Sequence, residues 1–157
     1  MIRIKSKFKF WPFLLIGCLT ILPLVAVYFS AKSIATGMFL PILFVLFIVF
    51  FWLTVLRTRA FLIEMDDNAI IIKRYFGAGK SVSYNFNTLD GFITLIESAR
   101  GGVYESLFIL KDGKRIGSIS NFYHSNFDEL KSVLKEKLTD MGEKEPAFIK
   151  ESAELFK

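Results

Sequence analysis

Hydropathy along the chain falls into three successive patterns. From Trp11 to Ser30 the sequence reads WPFLLIGCLTILPLVAVYFS, twenty residues without a charge, and from Ile34 to Leu56 it reads IATGMFLPILFVLFIVFFWLTVL, twenty-three more. At a rise of about 1.5 Å per residue, each run covers a hydrocarbon layer of about 30 Å as a helix. Helices satisfy their own backbone polar groups in lipid, so the runs predict a transmembrane hairpin with spans at 11–30 and 34–56. Only Ala31-Lys32-Ser33 separates them, which makes the connection a tight turn. Pro12 suits a first helical turn, whereas Pro23 and Pro41 lie inside the spans and predict kinks.

Before the spans, MIRIKSKFKF alternates strictly, with Ile2, Ile4, Phe8 and Phe10 on one set of positions and Arg3, Lys5, Lys7 and Lys9 on the other. Residues 1–10 therefore read either as a strand that adds to a sheet edge or as a basic tail that enforces topology. After Ala60 the period becomes that of short strands: Phe61 to Met65 and Ala69 to Tyr75 around an Asp66-Asp67-Asn68 turn, then Ser81 to Phe86 beyond Gly77-Ala78-Gly79. Runs from Leu89 to Glu97, Val103 to Leu110 and Arg115 to Ser120 follow, the last pair joined by an Asp112-Gly113 turn. Phe127, Leu130, Val133, Leu134 and Leu138 then recur at helical spacing, with Ser125 or Asn126 as the cap. Residues 141–157 read either as a charged linker with a short helix beginning near Pro146, whose Phe148, Ile149, Leu155 and Phe156 dock on the domain or on a partner, or as a loose tail.

Charge changes this picture. Met1 to Arg59 holds seven bases and no acid, whereas Ala60 to Lys157 holds thirteen bases and fifteen acids. The basic pI of 9.3 therefore belongs to the apolar segment, and a nucleic-acid binder would carry it on the folded domain. Bases flank the hairpin at Arg3, Lys5, Lys7, Lys9, Arg57 and Arg59, with Lys32 alone in the turn, which puts both termini in the cytoplasm of an inner membrane. Trp11, Tyr28 and Trp52 stand near the span ends, where aromatic rings favour the headgroup layer. A signal peptide would share the basic start, but this apolar run exceeds the usual length of about 7–15 residues and no A-x-A site follows. Neither span contains an ionisable residue, so a proton relay or charged-substrate path has nothing to work with. Phe44, Phe47, Phe50 and Phe51 read as lipid-facing bulk or as a partner face.

Chemistry-bearing residues are sparse. One cysteine, Cys18, makes no disulfide framework and reads as a small packing residue; one histidine, His124, makes no multi-histidine metal site. Within NFYHSN, His124 reads as a surface or capping residue, because Tyr123 and Ser125 beside it cannot face it as a triad would. Gly77-Ala78-Gly79-Lys80 lacks the spacing of a phosphate-binding loop. The pairs Asp66 with Asp67 and Asp128 with Glu129 suit turn formation and capping. No enzyme, cofactor or metal centre is expected.

The hairpin FLIEMDDNAIIIKRYFG, the later KDGKRIGSIS and the SNFDELKSVLKEKL helix, directly after two spans, resemble the bacterial pleckstrin-homology-like membrane proteins over residues 57–138. The resemblance implies an α+β membrane protein: a two-helix transmembrane hairpin plus a small antiparallel β-barrel or sandwich capped by a C-terminal helix. Its parts would be 1–10, a basic strand or tail; 11–56, the hairpin; 57–140, the cytoplasmic domain; and 141–157, the charged tail. The inositide-binding version of that fold uses bases around its first loop; here that loop is Asp66-Asp67-Asn68, which repels phosphate and leaves Lys73, Arg74 and Lys80 as a weak basic group that reads better as a solvated strand face. The expected role is a non-catalytic interaction or scaffolding module with a protein partner. Alternatives are an accessory subunit of a larger membrane complex, or a binder of anionic headgroups through Arg3, Lys5, Lys7, Lys9, Arg57, Arg59, Lys73 and Arg74.

Overall fold

The computed structural model describes residues 4–32, 39–99 and 102–144. Helix α1 (Phe10–Ala31) continues through Pro23, and helix α2 (Phe39–Phe51) carries Pro41 in its first described turn. The expected second span begins at Ile34, and residues 34–38 lie outside the described residues. Stretches Phe10–Ser30 and Pro41–Arg59 are both long and apolar enough to cross a membrane. Only 6% and 12% of their most apolar windows are buried within the chain, unlike a helix enclosed in a soluble core. Cys18 lies on α1 and is exposed within the chain.

Helix α2 passes into a π-helical turn, Trp52–Leu56, and a final helical turn, α3 (Arg57–Arg59). Thr54 and Thr58 donate their hydroxyls to the carbonyls of Phe50 and Thr54 at 2.6 and 2.5 Å, supplying partners around the irregular turn. Trp52 donates its indole N–H to Thr20, midway along α1, at 3.2 Å. It ties the two helices together, a contact its place near the span end did not suggest.

The remaining chain forms two separate four-stranded sheets. The first runs β1 (Ile4–Lys5), β2 (Leu62–Met65), β3 (Ala69–Lys73) and β4 (Ser81–Asn85), each antiparallel to its neighbour. The second has the order β7 (Lys114–Ser120), β6 (Gly102–Lys111), β5 (Gly91–Ala99) and β8 (Asp140–Lys144). This is the α+β architecture expected, with two apolar helices and two sheets; among the described residues no closed barrel forms, and β8 departs from the antiparallel pattern by lying parallel to β5. The linker expected from Met141 is a strand as far as Lys144; the short helix expected near Pro146 falls outside the described residues.

Of the two readings for residues 1–10, the strand is the one observed where the chain is described. Ile4 faces Met65 and Lys5 faces Glu64, and Ser6 extends the pairing by exchanging hydrogen bonds with Ile63. Helix α4 (Phe127–Lys137) presents Phe127, Leu130 and Leu134 to a core shared with Ile63 and Ile70 of the first sheet and Phe92, Leu107 and Ile119 of the second. Asn126 occupies the N-cap position, yet its side chain makes no cap bond. Its Oδ1 accepts from the Lys7 N–H at 2.8 Å and its Nδ2 donates to the Lys5 carbonyl at 3.1 Å. The expected cap instead clamps the N-terminal strand, satisfying backbone groups that have no second neighbour.

Candidate functional site

Antiparallel topology gives the domain two ends. Leu62 opens β2 three residues after Arg59, and it pairs with Lys73, which in turn pairs with Ser81. The segment 74–80 between β3 and β4 therefore lies at the end nearest the helical hairpin, and the Asp66-Asp67-Asn68 turn lies at the opposite end. The loop implied by the pleckstrin-homology resemblance thus points away from the apolar helices.

No flexible linker joins hairpin and domain. Leu56, Ala60 and Phe61 are 1%, 0% and 4% exposed, so the last turns of the second apolar stretch are buried under the sheets. Arg59 donates two hydrogen bonds to Glu97 of β5, both at 2.7 Å, a fork that fixes orientation as well as distance. The Arg59 bond holds the Glu97 carboxyl below its ordinary value of 4.5, against the opposing effect of burial. Glu97→Gln is expected to lower stability by about 1–2 kcal/mol, below the roughly 1.5–3 kcal/mol of a hydrogen bond to a charged group because solvent reaches the partly exposed pair. Because the folded value is depressed, the stabilisation is complete above pH 4.5 and fades as pH falls below it. Thermal unfolding of the detergent-solubilised chain should show that acid slope in the wild type and a flatter one in Glu97→Gln.

An aromatic seam closes the same end. Tyr75 and Phe76 both adopt left-handed backbone, with φ of 52° and 55°, ahead of Gly77 at 100°. Such strain persists only where surroundings hold it. Here the Phe76 ring lies 4.9 Å from Phe8 and 4.7 Å from Phe13 of α1, and its N–H donates to the Ala60 carbonyl at 2.9 Å. The loop is therefore anchored to the first turn of one helix and the end of the other.

His124 sits behind this seam and is fully buried, not a surface or capping residue. Its Nε2 lies 2.9 Å from the Phe61 carbonyl, and the Ser120 N–H points to Nδ1 at 3.1 Å. The pattern assigns the proton to Nε2, and both ring nitrogens are then satisfied by backbone. Burial lowers its pKa, partly opposed by the carbonyls of Phe61 and Ser120, which face its two ring nitrogens at 2.9 and 3.2 Å and favour the protonated ring. Polar neighbours in the sequence concealed a core histidine.

The eight sequence-predicted basic residues do not form one patch. Arg3 lies outside the described residues. Lys5 and Lys73 both pair with the buried carboxylate of Glu64, at 3.2 and 3.4 Å, and Arg59 is held by Glu97. Lys9 donates to the Asn121 carbonyl at 2.7 Å. Lys7 has an exposed side chain and a backbone tied to Asn126 and Ser125, while Arg57 is half-buried. Arg74 is exposed and makes no ion pair among the described residues; the same holds for Lys80.

These two bases share a cleft of about 370 Å³ with Ile72, Tyr75, Gly79, Val82, Tyr84 and Ile116. Lys111 stands 5.4 Å above the Tyr84 ring. The floor is aliphatic and the rim is basic and phenolic. Sequence reasoning found Arg74 and Lys80 but not Tyr84 or Ile116, which only strand pairing brings beside them. Among the described residues no group of three or more His, Cys, Asp or Glu side chains is placed to hold a metal ion. The chain matches no family model, no curated protein and no solved structure.

Proposed function

We propose that the chain is a membrane-anchored, non-catalytic interaction module that presents a pleckstrin-homology-like domain at the cytoplasmic face of the inner membrane. The observation carrying this reading is the junction: the exposed apolar hairpin runs into the domain through buried Leu56, Ala60 and Phe61 and the Arg59–Glu97 fork, so the domain has a fixed attitude to the hairpin. The asymmetry of bases around the apolar stretches favours a cytoplasmic domain. Support for the pleckstrin-homology-like reading comes from β2-β3-β4 and β5-β6-β7, two successive antiparallel meanders followed by α4, whose apolar face shares a core with both sheets. A binding role fits a site whose histidine is occupied by backbone on both nitrogens. Holding the domain at the bilayer raises its effective concentration toward a membrane-bound protein partner without strong intrinsic affinity.

Cysteine labelling tests the arrangement. In a Cys18→Ser background, Asp112→Cys should react with an impermeant maleimide only after the inner membrane is opened, and the chain should leave membranes only with detergent. Labelling in cells whose inner membrane is intact, or recovery in the soluble fraction, contradicts the proposal.

A further inference from the structure

We infer that the cleft between β3, β4 and β7 takes the headgroup of an anionic phospholipid from the leaflet in which the hairpin sits. The inference rests on the membrane reading above and adds a ligand to it. Position argues first. The cleft is lined by Tyr75, whose neighbour Phe76 packs on Phe13 in the first turns of α1, where an apolar span meets the headgroup layer. The cleft therefore lies at the hairpin end of the domain, and the acidic turn at 66–68 lies at the other.

Charge argues second. Glu64, Glu97 and Glu105 neutralise Lys5, Lys73, Arg59 and Lys131, yet Arg74 and Lys80 on the cleft rim have no acidic partner among the described residues. Two bases beside an aliphatic wall suit a phosphodiester with its glycerol and upper acyl carbons better than a free anion, which would leave exposed Val82 and half-buried Ile116 uncovered. Tyr84 adds a hydroxyl at the rim, with Lys111 stationed over its ring.

The backbone argues third. The 74–80 loop is closed on itself by bonds from the Gly77 and Gly79 N–H groups to the Arg74 carbonyl, both 3.0 Å, so it is shaped before a ligand arrives. A Cβ at Gly79 would come within 3.1 Å of that carbonyl, which makes glycine the residue that permits the turn.

The test uses the full chain in mild detergent, titrated with phosphatidylglycerol, phosphatidylcholine of the same acyl length, or inorganic phosphate, and read by native mass spectrometry. Wild type should retain one phosphatidylglycerol at a concentration about tenfold below that needed for phosphatidylcholine, the scale of one charge-assisted contact. Arg74→Gln with Lys80→Gln should abolish that preference, while Lys135→Gln with Lys137→Gln on α4 should keep it. Unfolding midpoints report that the variants are folded; if the cleft pair is not, the single changes Arg74→Gln and Lys80→Gln should each weaken the preference. Equal retention of both lipids by wild type, an undiminished preference in the folded cleft double variant, or displacement by phosphate alone overturns the inference. A chain that stays in membranes but shows no lipid preference loses this inference only, whereas recovery in the soluble fraction removes the membrane reading itself.

Discussion

His124→Ala is expected to destabilise the purified chain by about 2–4 kcal/mol, because the change opens a cavity and strands two buried backbone groups. The carbonyl of Phe61 and the N–H of Ser120 would both lose their partner, and Phe8, whose ring lies 5.1 Å from the imidazole, would lose a packing surface. His124→Phe keeps ring volume without the hydrogen bonds, and should fall between wild type and alanine. Acid adds a second signature. Since burial lowers the folded pKa from its ordinary 6.5, the unfolded chain binds the proton more readily, and stability declines as pH drops below 6.5. That decline should vanish in His124→Phe. Thermal unfolding in detergent from neutral pH to pH 5 measures it, and equal pH slopes in wild type and His124→Phe would show that the ring does not titrate as described.

A comparable loss, about 2–4 kcal/mol, is expected for Gly91→Ala. Gly91 has φ of +145°, and a Cβ there would stand 2.4 Å from the Thr139 carbonyl oxygen. That oxygen is backbone and already accepts from the Phe92 N–H at 3.0 Å, so the neighbour cannot swing aside as a side chain would. Relief requires β8 to leave β5. Gly102→Ala supplies the comparison: φ is +127° but no atom lies within 4 Å of the new carbon, so only backbone strain of about 1 kcal/mol remains. Hydrogen exchange should quicken across Asp140–Lys144 in the first variant and not in the second. Matching midpoints for the two would remove the clash as the cause.

Much of this fold is written in local pattern. The Asp66-Asp67-Asn68 and Asp112-Gly113 turns, the alternation of Val82 and Tyr84 and the helical spacing of Phe127, Leu130 and Leu134 each appear where their residues place them. What escaped has a physical cause in each case. Strand β8 reads DMGEK and is exposed throughout, so neither periodicity nor apolarity marks it; it exists because α4 returns the chain to the edge of β5. Thr54 and Leu56 score as membrane residues because hydropathy cannot tell burial in lipid from burial under protein. Asn126 carries the chemistry of a cap, but backbone 119 positions earlier in the chain competes for the same amide. The cleft divides likewise: Arg74 and Lys80 stand close in sequence, while Ile116 reaches it only through tertiary packing.

Pairing of Ile4 with Met65 means that residues on either side of the two apolar helices meet in one sheet. If the two helices span a bilayer as proposed, biogenesis inherits a checkpoint from this. A nascent chain that threaded its first helix in the wrong sense would leave β1 on the far side of the bilayer, and β2 would then lack its edge partner and Asn126 the amide it grips. Completion of the sheet thereby reports that insertion succeeded, and a mis-inserted copy would expose an unfinished edge to quality-control proteases.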